Sequence, residues 1–191
     1  FIKTFGIPME EYEEKDFSSF NDFFIRRFRQ GKRSFVADPK IMPAFSEARY
    51  FGFESLSATT EVPIKGKFLQ AQHLLAAPPN LQNVLQPKFE NGPCLIARLC
   101  PVDYHRFHYP DEGYTKAFWR VPGKLHSVNP VALKKKPNIF LTNERQVSSL
   151  ETKNFGLLAY IEVGALCVGK IVQTHSNEKP FQRGQEKGYF L

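Results

Sequence analysis

The stretch RLCPVDYHRFHYP, residues 98–110, brings two histidines, an aspartate and two prolines together within a short span. Pro101 and Pro110 favour extended backbone at the residues before them, so the chain is expected to leave an apolar strand and enter an ordered turn. His105 and His108 would then lie on a rigid loop. Two neutral imidazoles three positions apart can share one pocket if the turn is helical, and imidazole is well suited to moving protons near neutral pH.

The same spacing allows two other interpretations. The histidines could bind zinc, but zinc needs further ligands, and Cys94, Cys100 and Cys167 form no C-x-x-C pattern, so no metal site is predicted. They could also be hydrogen-bonded packing residues beneath a cluster of aromatic side chains. Spacing alone leaves packing and catalysis about equally favoured.

Residues 103–108, followed by Pro110 and Gly113, resemble the DYHRxHxPxxG signature of the phosphatidylserine decarboxylases. Further motifs of that family occur along the chain in the family's order, which makes a chance match very unlikely. They are NDFFIRR at 21–27, GKLHSVNP at 123–130, TNER at 142–145, and EVGA at 162–165 with VG at 168–169.

The resemblance implies an activity and a cofactor. In this family a serine of a Gly-Ser element attacks the preceding peptide carbonyl, the ester eliminates, and a pyruvoyl group is left at the start of a short α chain. Residues 178–191 resemble the stretch before that element, so the serine is expected beyond Leu191, and no cofactor-binding residue is assigned within this chain. The pyruvoyl carbonyl would react with the amine of phosphatidylserine and accept the electrons released with carbon dioxide, giving phosphatidylethanolamine.

Three residues take roles from their positions in these motifs. His108 is expected to be the base that activates the serine, and His105 the acid that returns a proton to the substrate α-carbon. Glu47 stands where the family's S-P-x-D-[GS]-R segment has an orienting aspartate, although the neighbouring proline and glycine are absent. Glutamate has a longer stem, so it can orient the imidazole only from a backbone placed farther back. Asp103 is an alternative carboxylate, or an anchor of the turn.

Charge and cysteine content limit the partners. The chain has 26 lysines and arginines against 19 aspartates and glutamates, a formal net charge of +7, which favours an anionic partner. No nucleic-acid-binding pattern accompanies these residues, so the charge leaves an anionic membrane or an acidic substrate. Together with the segment rich in phenylalanine and arginine within residues 1–34, it favours an anionic membrane surface. Three cysteines at irregular spacings fit a reducing compartment. No apolar run approaches the roughly 20 residues that span a bilayer, so a membrane-associated protein of this sequence would lie on the surface. With the family resemblance, we expect a peripheral protein on the cytoplasmic face of a bacterial inner membrane.

Residues 1–34 are expected to form an amphipathic helical segment, separate from a β-rich catalytic domain at 35–191. Phenylalanines recur in it at spacings of three and four, with Asp16 or Ser18 as a cap and arginines towards its end. Such a face either docks on the main domain or lies in a lipid interface. The recurring residues are Phe17, Phe20, Phe23, Phe24 and Phe28.

After residue 34, short apolar runs broken by proline, glycine and asparagine predict strands. The expected fold is α+β and mainly β, with a sandwich- or barrel-like core that the separate α chain completes. The predicted strands are residues 50–56, 61–66, 94–99, 115–121, 146–152, 155–163 and 166–174. A helix is predicted at 68–75 and an exposed loop at 76–91.

Two other functions fit the same sequence. One is a pyruvoyl decarboxylase of the same fold that acts on a free amino acid, and the other is a non-catalytic, membrane-binding derivative of the enzyme. The segment rich in phenylalanine and arginine favours a lipid substrate, whereas His105 and His108 favour an enzyme. A homodimer of αβ units is a further possible assembly.

Overall fold

The computed structural model describes residues 1–55, 61–62, 67–68, 71–135, 138–166 and 168–191. Its helices are α1 (Ile2–Phe5), α2 (Phe20–Phe24), α3 (Ala71–Leu75), α4 (Pro79–Phe89), α5 (Pro130–Lys135) and α6 (Ile139–Thr142), with a 3₁₀ helix at Met9–Glu11. Its strands are β1 (Arg49–Phe53), β2 (Glu61–Val62), β3 (Lys67–Phe68), β4 (Cys94–Arg98), β5 (Arg106–His108), β6 (Gly113–Val121), β7 (Arg145–Thr152), β8 (Gly156–Val163), β9 (Ile171–Gln173) and β10 (Glu186–Phe190). The chain is therefore α+β and mainly β, as predicted. Among the described helices, none has the length and apolarity that a membrane span requires.

One hydrophobic core lies on the antiparallel sheet β6-β7-β8. Val147 and Leu150 of its central strand are fully buried although they lie on opposite faces of the sheet, so both faces of β7 are covered. Tyr109 and Phe181 stack face to face on Leu150, with ring centroids 4.0 Å apart. The strands predicted at 115–121, 146–152 and 155–163 are confirmed as β6, β7 and β8.

The strand that carries His108 lies in a second antiparallel sheet, in the order β5-β10-β9. The pairing of β5 with β10 shifts register between Glu186 and Gly188, so Lys187 is the extra residue of a β-bulge. The sequence placed the histidines on a loop, and for His108 this is wrong. The strands β5 and β10 went unpredicted because they are short and interrupt their apolar residues with charges and glycine.

The remaining strands form two small ribbons. Strands β1 and β4 pair antiparallel along their whole length, which confirms the predictions at 50–56 and 94–99. Strands β2 and β3 pair through Glu61 and Val62, and the rest of the predicted strand at 61–66 lies outside the described residues. Of the strand predicted at 166–174, the described residues 166 and 168–174 form a strand at β9, Ile171–Gln173.

The N-terminal segment is not the single long helix that its phenylalanine spacing suggested. Ser19 caps α2 by accepting a hydrogen bond from the Asp22 amide, and the helix ends at Phe24. It ends there because Tyr12 and Phe28 pair as an antiparallel bridge, which engages the backbone that a continued helix would use. Phe23 and Phe24 are buried, so this face of α2 docks on the rest of the protein.

Residues 76–91 contain an 11-residue helix, α4, and not the loop that the sequence suggested. The sequence favours a loop there because the stretch is rich in proline, asparagine and glutamine. Pro79, however, lies at the start of the helix, where a missing N–H costs nothing and the fixed φ is already helical. The helix predicted at 68–75 is confirmed over Ala71–Leu75 as α3, whereas Phe68 belongs to strand β3 and residues 69–70 lie outside the described part.

Candidate active site

Strand β5 has one face in the hydrophobic core and its other face towards a cleft. Successive side chains of a strand point to opposite faces, so Phe107 packs in the core and His108 faces a cleft. A bridge between Ser46 and Phe107, together with the bond from the His108 amide to the Phe45 carbonyl (2.8 Å), brings residues 45–47 alongside β5. Glu47 therefore comes to the same cleft as His108.

Both ring nitrogens of His108 are engaged. Its Nδ1 lies 2.9 Å from the carbonyl oxygen of Gly184, and its Nε2 lies 3.3 Å from the hydroxyl of Tyr104. A carbonyl can only accept a hydrogen bond, so Nδ1 carries the proton of the neutral ring and Nε2 is the basic atom. Burial lowers the pKa of His108, while the Gly184 carbonyl and the Glu186 carboxylate act to raise it. The ring is therefore a neutral base near pH 7.

His105 is fixed in a different environment. Its Nδ1 lies 2.9 Å from the Asp103 carbonyl oxygen, and its ring stacks on Phe24 with centroids 3.8 Å apart. Burial lowers its pKa to about 4, and the nearby charge of Arg26 acts in the same direction. Within the described residues Nε2 of His105 has no hydrogen-bond partner. At neutral pH this nitrogen is therefore unprotonated and can accept a proton.

The cleft in front of His108 has a volume of about 810 Å³ and carries charges of both signs. The hydroxyl of Tyr104 and the imidazole of His108 face it, and His105 is absent from its lining. The charged side chains along it are Glu13, Arg27, Arg29, Arg33, Glu47 and Glu186. The structure thus brings His108 and Glu47 into one cleft, whereas His105 is stacked beneath α2.

The carboxylate of Glu47 does not contact His108 in this structure. Arg33 donates to it from Nε at 2.6 Å, and the same guanidinium binds Glu11 at 2.6 Å. The group that holds the His108 imidazole is the Gly184 carbonyl. Asp103 accepts a hydrogen bond from the Cys100 amide at 2.6 Å, so it anchors the turn, which was one of its two expected roles.

The structure adds three residues that the sequence did not single out, namely Tyr104, Gly184 and Glu186. Gly184 has a positive φ of 77°, and a Cβ there would lie 2.7 Å from the ring of Phe35. Glu186 binds Arg106 and Arg27, each at 2.9 Å. All three lie inside the quoted motifs, but their contacts with β5 depend on tertiary structure. Among the described residues, no group of three His, Cys, Asp or Glu side chains could hold a metal ion.

Comparison with known proteins places these residues in a family context. Residues 20–191 match the family model described as phosphatidylserine decarboxylase. The chain is 39% identical over 192 residues to a protein of Clostridium tetani named phosphatidylserine decarboxylase proenzyme, and 42% identical over 194 residues to a protein of the same name from Clostridium kluyveri. In both cases all of this chain is covered, and it spans 63% of the relative's length.

Proposed function

The chain belongs to the phosphatidylserine decarboxylase family, and from this premise we propose that it is the β-chain part of a proenzyme. The proenzyme cleaves itself and then removes carbon dioxide from phosphatidylserine to give phosphatidylethanolamine. The observation that carries this proposal is the fixed tautomer of His108, whose Nε2 lies beside the Tyr104 hydroxyl in an open cleft. An imidazole held in this way is suited to act as a general base.

The proposed role of His108 is to activate a serine that follows β10. The serine Oγ bonds to the preceding carbonyl carbon while its proton moves to Nε2, and the peptide C–N bond then breaks as the amine recovers a proton. The ester then eliminates, because the serine α-carbon loses its proton and the β-chain carboxylate departs. Water adds to the product of this elimination and ammonia leaves, which gives a pyruvoyl group. The Gly184 carbonyl orients the imidazole, and Glu47 is proposed to stabilise its cation from across the cleft.

The proposed role of His105 is to move the proton at the substrate α-carbon. The Phe190 amide donates to the His105 carbonyl at 2.9 Å, so the chain leaving β10 passes beside this residue, which suits a pyruvoyl group formed there. When bound, that group would accept the electrons released with carbon dioxide. The His105 ring is neutral at pH 7, and an anionic headgroup near it would raise its pKa and load it with a proton.

We propose two partners for the assembled enzyme. The first is an α chain that carries the pyruvoyl group and adds strands to the sheets, because β8 is paired with β7 alone among the described strands. The second is an anionic membrane. Phe1, Phe5 and Phe20 form an exposed aromatic patch, in which the ring of Phe1 lies 4.8 Å from Phe5 and 5.2 Å from Phe20. Apolar rings on a chain of net charge +7 suit a lipid surface.

The experiment compares three variants of the full-length proenzyme. His108→Ala should remain uncut, because loss of a general base costs about 10²–10⁴-fold. His105→Ala should still cleave yet release no carbon dioxide from phosphatidylserine. Glu47→Gln should cleave more slowly than the parent but faster than His108→Ala, since Glu47 makes no hydrogen bond to the imidazole.

The measurements are a gel, the intact mass of both fragments with a carbonyl-reactive reagent, and carbon dioxide release. Glu14→Gln, which removes an exposed carboxylate paired with Arg29, is the control for Glu47→Gln. Normal cleavage of His108→Ala would refute the proposed role of His108.

A further inference from the structure

A charged pair is buried in the core behind the active-site strand. The Lys187 ammonium donates to Glu162 at 2.6 Å and to Gln173 at 2.8 Å, and the two charged side chains are 0% and 1% exposed. The ammonium also lies 5.2 Å from the ring centroid of Tyr160 and 5.8 Å from that of Phe107. The proposed chemistry uses none of these polar groups.

This pair connects the two main sheets. Glu162 belongs to β8 of the core sheet, whereas Gln173 and Lys187 belong to β9 and β10 of the sheet that carries His108. A further amide, Gln146 of β7, accepts a hydrogen bond from Gln173 at 2.8 Å and donates to the Ile171 carbonyl. Four strands therefore meet in one polar network.

Lys187 is also the extra residue of the bulge in β10. Its neighbour Glu186 points into the cleft and binds Arg106 and Arg27, while Lys187 points into the core. A slip of β10 by one residue would reverse these faces, leaving Glu162 buried without its cation. Two consecutive charges of opposite sign thus fit their partners in one register alone.

Burial of an ion pair is a weak source of stability, because the desolvation cost of both ions offsets their attraction. For Glu162 the desolvation cost is only partly compensated, since its Oε2 has no hydrogen-bond partner among the described residues. Buried charges are better explained by a role in selecting one arrangement of the chain. Because Lys187 lies within the bulge of β10, the arrangement that the pair would select is the register of β10.

We propose that the Lys187–Glu162 pair is a positioning device that fixes the register of β10, so that the end of the strand stays beside His105. The register is visible at Gly188, where a Cβ would lie 2.2 Å from the Val172 carbonyl, and at Phe190, whose amide binds the His105 carbonyl. The inference rests on the proposed function, because the segment so positioned is the one that leads to the self-cleavage site.

The test separates positioning from stability by removing both charges together. In the full-length proenzyme, the double variant Lys187→Met/Glu162→Leu loses the desolvation cost and should keep or exceed the parent's Tm. Its self-cleavage should nevertheless slow at least about tenfold, and hydrogen exchange at the Phe190 amide should become at least about tenfold faster. The control is Lys116→Met/Glu151→Leu, which removes an exposed cross-strand pair of β6 and β7 and should change neither.

Parent-like cleavage and parent-like Phe190 exchange in a folded double variant would overturn the proposal. If the double variant does not fold, Glu162→Gln is measured instead, because it keeps the shape of the side chain and one acceptor while removing the charge. Faster exchange at the Phe190 amide in this variant supports positioning, and unchanged exchange refutes it. If the parent itself does not cleave, the proposed function fails, and Phe190 exchange alone still tests the pair.

Discussion

The imidazole of His105 is stacked on the phenyl ring of Phe24, with the centroids 3.8 Å apart and the planes 31° apart. The N-terminal segment therefore covers one of the two signature histidines. The same segment is fixed to the turn before β5, because Arg26 donates to the Val102 carbonyl at 2.8 Å. The helix that exposes Phe20 on its outer side thus shapes the site on its inner side.

The first prediction concerns the environment of His105. Phe24→Ala opens one face of the imidazole to water, and burial is the largest cause of its lowered pKa, so the pKa should rise from about 4 towards 6.5. The measurement is the titration of the His105 ring resonances by NMR. Phe20→Ala, an exposed position on the same helix, should leave the midpoint near 4. An unchanged midpoint in Phe24→Ala would contradict the assignment of burial by α2.

The second prediction is a pH dependence of stability. The pKa of His105 is about 4 in the folded protein, against an ordinary value of 6.5 that applies to the unfolded chain. Between these two pH values the folded state therefore binds fewer protons than the unfolded state. The free energy of unfolding should therefore fall as the pH is lowered from about 6.5 to about 4, by up to about 3 kcal/mol. His108 acts in the same direction. Denaturant titrations across this range should give a flatter profile for His105→Gln, and an equally steep one would exclude His105 as the source.

The third prediction compares two glycines with positive φ. Gly184 (77°) and Gly156 (67°) would each be strained by a Cβ, but at Gly184 the added atom would also meet the ring of Phe35 at 2.7 Å, and at Gly156 it meets nothing. Gly156→Ala should lose about 1–2 kcal/mol of stability, and Gly184→Ala at least as much because of the added contact with Phe35. Gly184→Ala alone should slow self-cleavage, because it displaces the carbonyl that holds His108. Equal cleavage rates at matched stability would show that this carbonyl is dispensable.

The fourth prediction concerns the aromatic patch. Replacing Phe5 and Phe20 by serine should weaken binding of the full-length protein to anionic vesicles by about tenfold or more, because burying one aromatic side chain contributes roughly 1.5–3 kcal/mol. Binding should also weaken with salt, since charges are screened beyond a Debye length of about 10 Å at 0.1 M. Tyr114→Ser, exposed on β6, is the control. Equal binding to neutral vesicles, measured by sedimentation, would remove the electrostatic contribution.

The sequence by itself determined the family, the β-rich class and most of the longer strands. These features depend on local pattern, and residues 156–163 illustrate it, since their short apolar run between two glycines predicts a strand. The histidines of the signature were likewise identified from their motif. Predictions of this kind need only the order of residues within short stretches of the chain.

Tertiary structure alone decided which groups meet at the site. The carbonyl of Gly184 and not the carboxylate of Glu47 holds His108, because strand pairing brings a residue 76 positions away within 2.9 Å. The N-terminal helix ends at Phe24 because the bridge between Tyr12 and Phe28 competes for its backbone. Lys187 is buried because Glu162, on another sheet, offsets its charge. Each outcome depends on a partner distant in sequence, which no local pattern of residues encodes.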